Sequence, residues 1–223
     1  MNYVFQFNVV WDHFPELLYG AQLTIQLSAM AMVLGLCLAV VCAYGKSAGL
    51  KPVRLLVGFY VELIRNTPFL VQIFIIYFSL PIIGLRLTAN TAALLAMTVN
   101  LGAYASEIVR AGIEAIPQGQ VEAARALGLK RLQIFRFIII FPALKTVYPA
   151  LSSQFILLML SSSVVSTISA VELTAITNSL QSTTFRSFEF YFVATGLYLF
   201  MALGFRVALG AIYWAVFQRG RAA

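Results

Sequence analysis

Five stretches of this chain are each about as long and as apolar as a bilayer crossing requires, which is roughly 20 predominantly apolar residues. They run at about 21–45, 55–83, 91–112, 146–168 and 188–210 or beyond, and the second is interrupted by "ELIRNTP". A chain of 223 residues that is 61% hydrophobic and 10% charged has too little polar surface to cover itself in water; soluble domains carry roughly 25% charged residues. The expected fold is an all-α membrane protein of about five transmembrane helices. The N-terminal "MNYVFQFNVVWDHFPELLYG" has no basic leader region and no cleavage signature, so residues 1–19 are expected to lie at the membrane surface. Residues 20–217 then form the membrane domain and 218–223 a short tail. Cys37 and Cys42 share one apolar run without His or carboxylate neighbours, which fits packing residues better than a disulfide or a metal site.

The net charge of +7 would point to nucleic acid in a soluble protein; in a membrane protein it has to be read loop by loop. Lys46, Lys51 and Arg54 follow the first span, and Arg125, Lys130, Arg131, Arg136 and Lys145 follow the third. Arg219 and Arg221 close the chain, whereas Arg86, Arg186, Asp12 and Glu16 fall on the other side. Because basic residues concentrate on the cytoplasmic face, the N-terminus is expected outside and the C-terminus in the cytoplasm, in agreement with an odd number of spans. No internal repeat is visible, so the inverted-repeat plan of many gradient-driven carriers is not supported.

The longest cytoplasmic loop, 113–145, contains "QGQVEAARALG". Glu122 to Leu127 are good helix formers, and Gly128 stands where a helix ends. Such a helix is either merely solvated or, being thin at Ala123, Ala124 and Ala126, shaped to dock closely on a partner. The amphipathic "KRLQIFRF" leads into the fourth span.

The run "YASEIVRAGIEAIPQGQVEAARALG" (104–128) resembles the EAA loop of bacterial ABC-importer permeases, and more narrowly the polar amino-acid branch that handles histidine, glutamine, arginine and opines. The likeness rests on Tyr104, Glu107, Arg110, Gly112, Ile116, Pro117, Gly119, Gln120, Glu122, Ala123, Ala124 and Gly128. "RNTPFLVQIFIIYF" (65–78) and the stretch from "PALSSQFILLML" to "ELT" (149–174) resemble the second- and fourth-span motifs of that branch. The resemblance implies an ABC type I importer transmembrane domain in a bacterial inner membrane. It also implies a coupling helix carrying Gln120, Glu122, Ala123, Ala124, Arg125 and Gly128, seated on a cytoplasmic ATP-binding subunit present in two copies. ATP and Mg would be bound by that subunit and no cofactor by this chain, which has no Walker-type phosphate loop. A second permease subunit, identical or not, and an external solute-binding protein complete the implied assembly. Two departures stand out. The proline that closes the loop falls one residue late, at Pro142 after Phe141. In the fourth span the Glu, Lys and Asp common in relatives are replaced by Gln154, Leu160 and Ser161.

Ionisable groups at membrane depth cost about 2.5–3.5 kcal/mol on insertion scales, so each needs a reason. Glu62 and Arg65, beside Asn66, Thr67 and the helix-breaking Pro68, read either as an unwound polar gate or as an ion pair within one helix. Glu107 and Arg110, with the same spacing, read as a structural pair. Gln154 and Ser161 are seven apart and share a face, which marks them as path-lining candidates with Glu62, Arg65 and Thr67. Ser162 and Ser163 satisfy backbone groups or permit close packing, and Arg206 snorkels to the cytoplasmic interface. An intramembrane hydrolase using the serines at 161–163 lacks a base, since the only histidine is His13 in the N-terminal segment. A gradient-driven transporter or channel subunit is the alternative, but it has no need of a coupling loop. The uncharged fourth-span face implies either a solute with a less basic side group or a charged pocket in the partner permease, and the intact coupling loop favours the second, a heterodimer whose main pocket lies in the other subunit.

Overall fold

The computed structural model describes residues 3–48 and 50–218, and every regular element in them is helical. Arg219 and Arg221 lie outside the described residues. A short helix α1 (Phe7–Asp12) is followed after His13 by α2 (Phe14–Ala48). Pro15 and Glu16 explain that early start. A proline in the first turn sacrifices no helical hydrogen bond, and an acid there meets the positive end of the helix dipole. Residues 14–19 and the first span are therefore one continuous helix. Its 35 residues measure about 52 Å, well beyond the 30 Å or so of the hydrocarbon core.

The chain continues through α3 (Lys51–Arg65), α4 (Phe69–Ser79) with a 3₁₀ turn at Leu80–Ile83, α5 (Ala89–Glu114) and α6 (Gln118–Ala126). A single turn α7 (Arg131–Gln133), a π-helical stretch (Ile134–Ile140), α8 (Phe141–Ser161) and a 3₁₀ stretch (Ser162–Ile168) then follow end to end. α9 (Leu173–Thr184) and α10 (Ser187–Tyr213), extended to Gln218 by a π turn, complete the fold. The loop expected at 113–145 is thus shorter. "KRLQIFRF" is not a separate turn but the first part of the fourth spanning helix, and Pro142 lies directly after the π-helical stretch inside that continuous helix, where its missing N–H leaves a carbonyl of the preceding turn without its helical partner.

Among the described residues, four helices are long and apolar enough to cross a membrane: Phe14–Lys46, Ala89–Glu114, Ile134–Ile168 and Ser187–Gln218. α3 and α4 form a fifth candidate bent by 112°. Packing decides how it counts. Gly35 of α2 faces Leu101 of α5, Leu38 faces Gly102, and Lys46 meets Glu107. Residue numbers rise together, so α2 and α5 run parallel. Two parallel spans need a return crossing between them, and α3–α4 supplies it. α8 runs antiparallel to α5, with Val147 against Gly112 and the Val171 amide on Asn90 Oδ1. α10 runs antiparallel to α8, its Leu209 carbonyl accepting from Tyr148 Oη. One end of the bundle therefore collects Asp12, Glu16, Arg86 and Arg186. The other end, with its nearest turns, collects Lys46, Lys51, Arg54, Arg125, Lys130, Arg136 and Lys145, the partition read from the loops.

The bend at Asn66–Pro68 opens a helix inside apolar surroundings, where unpaired backbone groups are expensive. All four terminal carbonyls of α3 are answered. Asn66 Nδ2 donates to the Glu62 carbonyl (2.8 Å), Thr67 Oγ1 to Leu63 (2.8 Å), Gln72 Nε2 to Ile64 (2.7 Å) and Tyr104 Oη to Arg65 (3.4 Å). Asn100 Nδ2 then holds Gln72 Oε1 at 2.9 Å, tying the break to the middle of α5.

α2 and α5 share the largest helix–helix interface, built from buried Ala31, Ala39, Ala92, Ala93, Ala96 and Ala103. Small residues allow backbones to approach where no water drives association. A Cβ at Gly102 would lie 2.6 Å from Leu38 Cδ2 and 2.9 Å from Tyr60 Oη, whereas at Gly58 it would meet nothing within 4 Å. Gly102→Val should therefore lose about 1–3 kcal/mol to overpacking, and Gly58→Ala should be neutral or gain up to about 1 kcal/mol of helix propensity. Thermal unfolding of the detergent-solubilised protein checks this; equal midpoints for the two variants would contradict the packing.

Candidate functional site

α6 lies outside the candidate spans and packs on the start of the fourth one. α5 stops at Glu114, the chain turns at Ala115 and Ile116, and the extended Pro117 precedes the first helical residue. The end is set by Gly128, whose φ of +78° lies in the left-handed region. The Leu129 amide reaches the Ala124 carbonyl (3.1 Å) and the Gly128 amide the Arg125 carbonyl (2.9 Å), which is the Schellman pattern of a glycine-terminated helix. α6 packs on the π-helical stretch, burying Ala124 and half-burying Val121. The other side is open: Gln120, Glu122, Ala123, Arg125 and Ala126 are exposed, and Leu127 is 80% exposed. Ala124 thus departs from the expected docking set. It supports α6 from within and does not face outward as Ala123 and Ala126 do. Glu122 and Arg125, three apart, form no ion pair among the described residues; they line a groove of about 320 Å³ with Ile113, Ile116, Gln118, Val121 and Ile139.

The path candidates fall in two places. At the α3–α4 bend the ion-pair reading of Glu62 and Arg65 is not what forms. Glu62 Oε2 accepts from Asn66 Nδ2 (3.0 Å), and the Arg65 guanidinium lies 5.7 Å from the centre of the Tyr104 ring. Both side chains stay exposed. Thr67 is committed to the bend itself, donating to Leu63 and accepting from Gln72. In α8, Gln154 and Ser161 are half-buried on one face, beside the exposed stripe of Ser153, Leu157 and Leu160, and neither makes a side-chain hydrogen bond among the described residues. Helix α3 makes no substantial contact with α8, so a single chain does not bring the two groups into one pocket. The serines after Ser161 are spent on backbone: Ser162 donates to Met159, Ser163 to Leu160 and Ser166 to Ser163. His13 pairs with Glu16 at 2.7 Å.

Sequence reading missed two buried acids. Glu172, 0% exposed, is the N-cap of α9 in the connection between spans four and five. Its Oε1 accepts from the Ala175 amide (2.8 Å) and its Oε2 from Tyr198 Oη of α10 (2.6 Å) and Thr24 Oγ1 of α2 (3.4 Å). Thr24 in turn accepts from the Leu173 amide (3.1 Å), so one carboxylate joins three helices without a cation. Burial pushes its proton affinity up, partly opposed by these donors. Glu189, also 0% exposed, accepts from Tyr3 Oη and from the Gln6 amide (3.0 Å), clipping the N-terminal segment to α10. The partners 148 and 183 residues away leave no local signal in the sequence, although the cap of Glu172 on the Ala175 amide and the i,i+3 approach of Arg186 to Glu189 are local.

Residues 25–217 match the family described as binding-protein-dependent transport system inner membrane component. An octopine transport system permease protein of Rhizobium radiobacter is 34% identical over 221 residues, covering 95% of this chain and 90% of the relative. A probable glutamine ABC transporter permease protein of Bacillus subtilis is 33% identical over 196 residues, covering 88% and 91%. A crystal structure of an amino acid ABC transporter with histidines superposes with a TM-score of 0.87 at 36% identity, covering 95% of this chain and 99% of that one.

Glu172 yields a test of the three-helix junction. Glu172→Ala removes the cap and strands buried hydroxyls, at about 1–3 kcal/mol per group left unpaired, whereas Glu172→Gln keeps an acceptor for the cap. A carboxyl whose folded-state pKa is raised stabilises fully below its ordinary value and loses that contribution as pH rises through the raised one. Acidification should therefore stabilise the wild-type protein relative to Glu172→Gln in thermal unfolding; a pH-independent gap would contradict the burial.

Proposed function

This chain belongs to the inner-membrane components of binding-protein-dependent transport systems; it is a multi-pass permease subunit of an ABC importer of the amino-acid and opine class, and we propose how its parts divide the work. α6 is the coupling helix: Gln120, Glu122, Ala123 and Arg125 meet the ATP-binding subunit, Ala124 braces the helix from behind, and Gly128 fixes its end. Two copies of that subunit bind ATP and Mg²⁺ and hydrolyse the nucleotide, while this chain catalyses nothing and carries no cofactor. The basic end of the bundle faces the cytoplasm, which places the N-terminus outside, where a solute-binding protein delivers its cargo. A second permease subunit closes the pathway. The observation that carries this reading is α6 itself, a glycine-capped helix resting on the start of the fourth span with its small and charged side uncovered.

Glu62 and Arg65 at the exposed bend and Gln154 and Ser161 on α8 border the pathway, with Thr67 shaping the bend between them. Since Gln154 and Ser161 bring no formal charge, the charged part of the solute site lies in the partner permease, and the pair is a heterodimer. A gradient-driven carrier would have no use for α6, and co-purification of an ATPase separates the two readings.

Gly128→Val must hold a β-branched residue at a left-handed φ, which costs roughly 1–2 kcal/mol, although a Cβ there meets nothing within 4 Å. The variant should insert normally but hydrolyse ATP without importing solute, while Gly128→Asn, whose side chain tolerates that conformation, keeps uptake. Uptake assays at matched expression check this; wild-type uptake by Gly128→Val would refute the role of α6. Single-cysteine labelling in a Cys37- and Cys42-free background tests the sidedness. Position 130 should be closed to an impermeant reagent in sealed cells, and labelling there would reverse the orientation.

A further inference from the structure

The cytoplasmic ends of α2 and α5 are joined by a chain of four alternating charges. Glu107 Oε1 accepts from Lys46 Nζ at 2.6 Å, and its Oε2 accepts from Arg110 Nη2 at 2.8 Å and Nε at 3.1 Å. Arg110 Nη1 then donates to Glu114 Oε2 at 2.5 Å. Both oxygens of Glu107 are used, and its side chain is 17% exposed against 25% for Lys46 and 27% for Arg110. Pairs this sheltered and charge-assisted are much stronger than open surface pairs.

The location gives the rack its meaning. Lys46 lies in the last turn of α2, just before the turn into α3, and Glu114 is the last residue of α5. Only residues 115–117 separate Glu114 from α6. On the opposite side of α5, Gly112 lies so close to α8 that a Cβ would be 2.3 Å from Val147 Cγ1, and the π-helical stretch preceding α8 is what α6 rests on. The root of α6 is therefore gripped from two sides, by packing toward α8 and by charge toward α2. The α2–α5 interface is already close-packed in mid-membrane through Gly35 and Gly102, so the rack adds rigidity where force from α6 enters.

We propose that Lys46, through Glu107, is a positioning residue for coupling: the rack makes α2 and α5 move with α6 as one lever, so that closure of the ATP-binding subunits reaches the α3–α4 bend. This rests on the permease reading of α6. Lys46→Met cuts the link between helices and leaves Glu107–Arg110–Glu114 intact, while Lys46→Arg keeps the charge and a donor. The complex with its ATP-binding subunits and binding protein, reconstituted in proteoliposomes, is assayed for ATP hydrolysed per solute imported. Lys46→Met should raise that ratio roughly tenfold, the factor that corresponds to losing one charge-assisted hydrogen bond, at unchanged basal hydrolysis and whatever the accompanying fall in thermal midpoint. Lys46→Arg should restore most of the coupling. A wild-type ratio in Lys46→Met overturns the proposal, as does a proportional fall in uptake and hydrolysis with a lowered midpoint, which marks a merely structural tie. Absence of ATP-driven uptake in the unaltered complex overturns both this proposal and the permease reading.

Discussion

The parallel packing of α2 against α5 is the constraint from which the rest of the architecture follows. Two consecutive long helices that run the same way through a bilayer force the chain between them to return. Here the return segment crosses as two pieces bent by 112°. A bend in hydrocarbon is tolerable only if the freed carbonyls find donors, and Asn66, Thr67, Gln72 and Tyr104 supply them. The same parallel register brings Lys46 level with Glu107 and leaves the α5 terminus pointing out of the bundle toward α6. Packing, the broken span and the placement of α6 are thus consequences of one arrangement.

Function follows from what that arrangement leaves uncovered. α5 is the most enclosed of the spanning helices and α10 the least, with 56% and 11% of their most apolar windows buried. A half-pathway with one well-packed centre and one open flank suits a subunit that works beside a second permease. The exposed Glu62 and Arg65 belong to the same incomplete surface. α6 stands apart because it lies outside the candidate spans and leaves its small and charged side exposed.

Much of this was legible in the sequence because it depends on short-range chemistry. Apolar run length gave the spans, Pro68 the bend, the basic loops the two ends, and Gly128 the termination of α6. Helix starts were misplaced where apolarity and helicity diverge: α2 begins at Phe14 because Pro15 and Glu16 favour a helix start in polar sequence, and the fourth helix begins at residue 131 within "KRLQIFRF". The thin face of α6 was read as one surface, yet the 3.6-residue period turns Ala124 inward while Ala123 and Ala126 stay outside. Glu172, Glu189 and the Lys46–Glu107 pair were invisible for a different reason. The ties to Thr24, Tyr3 and Lys46 run to partners 61 to 186 residues away, and only the folded bundle brings them together.

The central claim is that α6 and the cytoplasmic ends of α2 and α5 form one rigid body. Spin labels at positions 44 and 123 of the assembled complex would report it directly through their separation with and without ATP. The account predicts that this distance within the subunit stays constant while the distance from position 123 to its counterpart in the second permease changes on ATP binding. A change within the subunit as large as the change between subunits would contradict it.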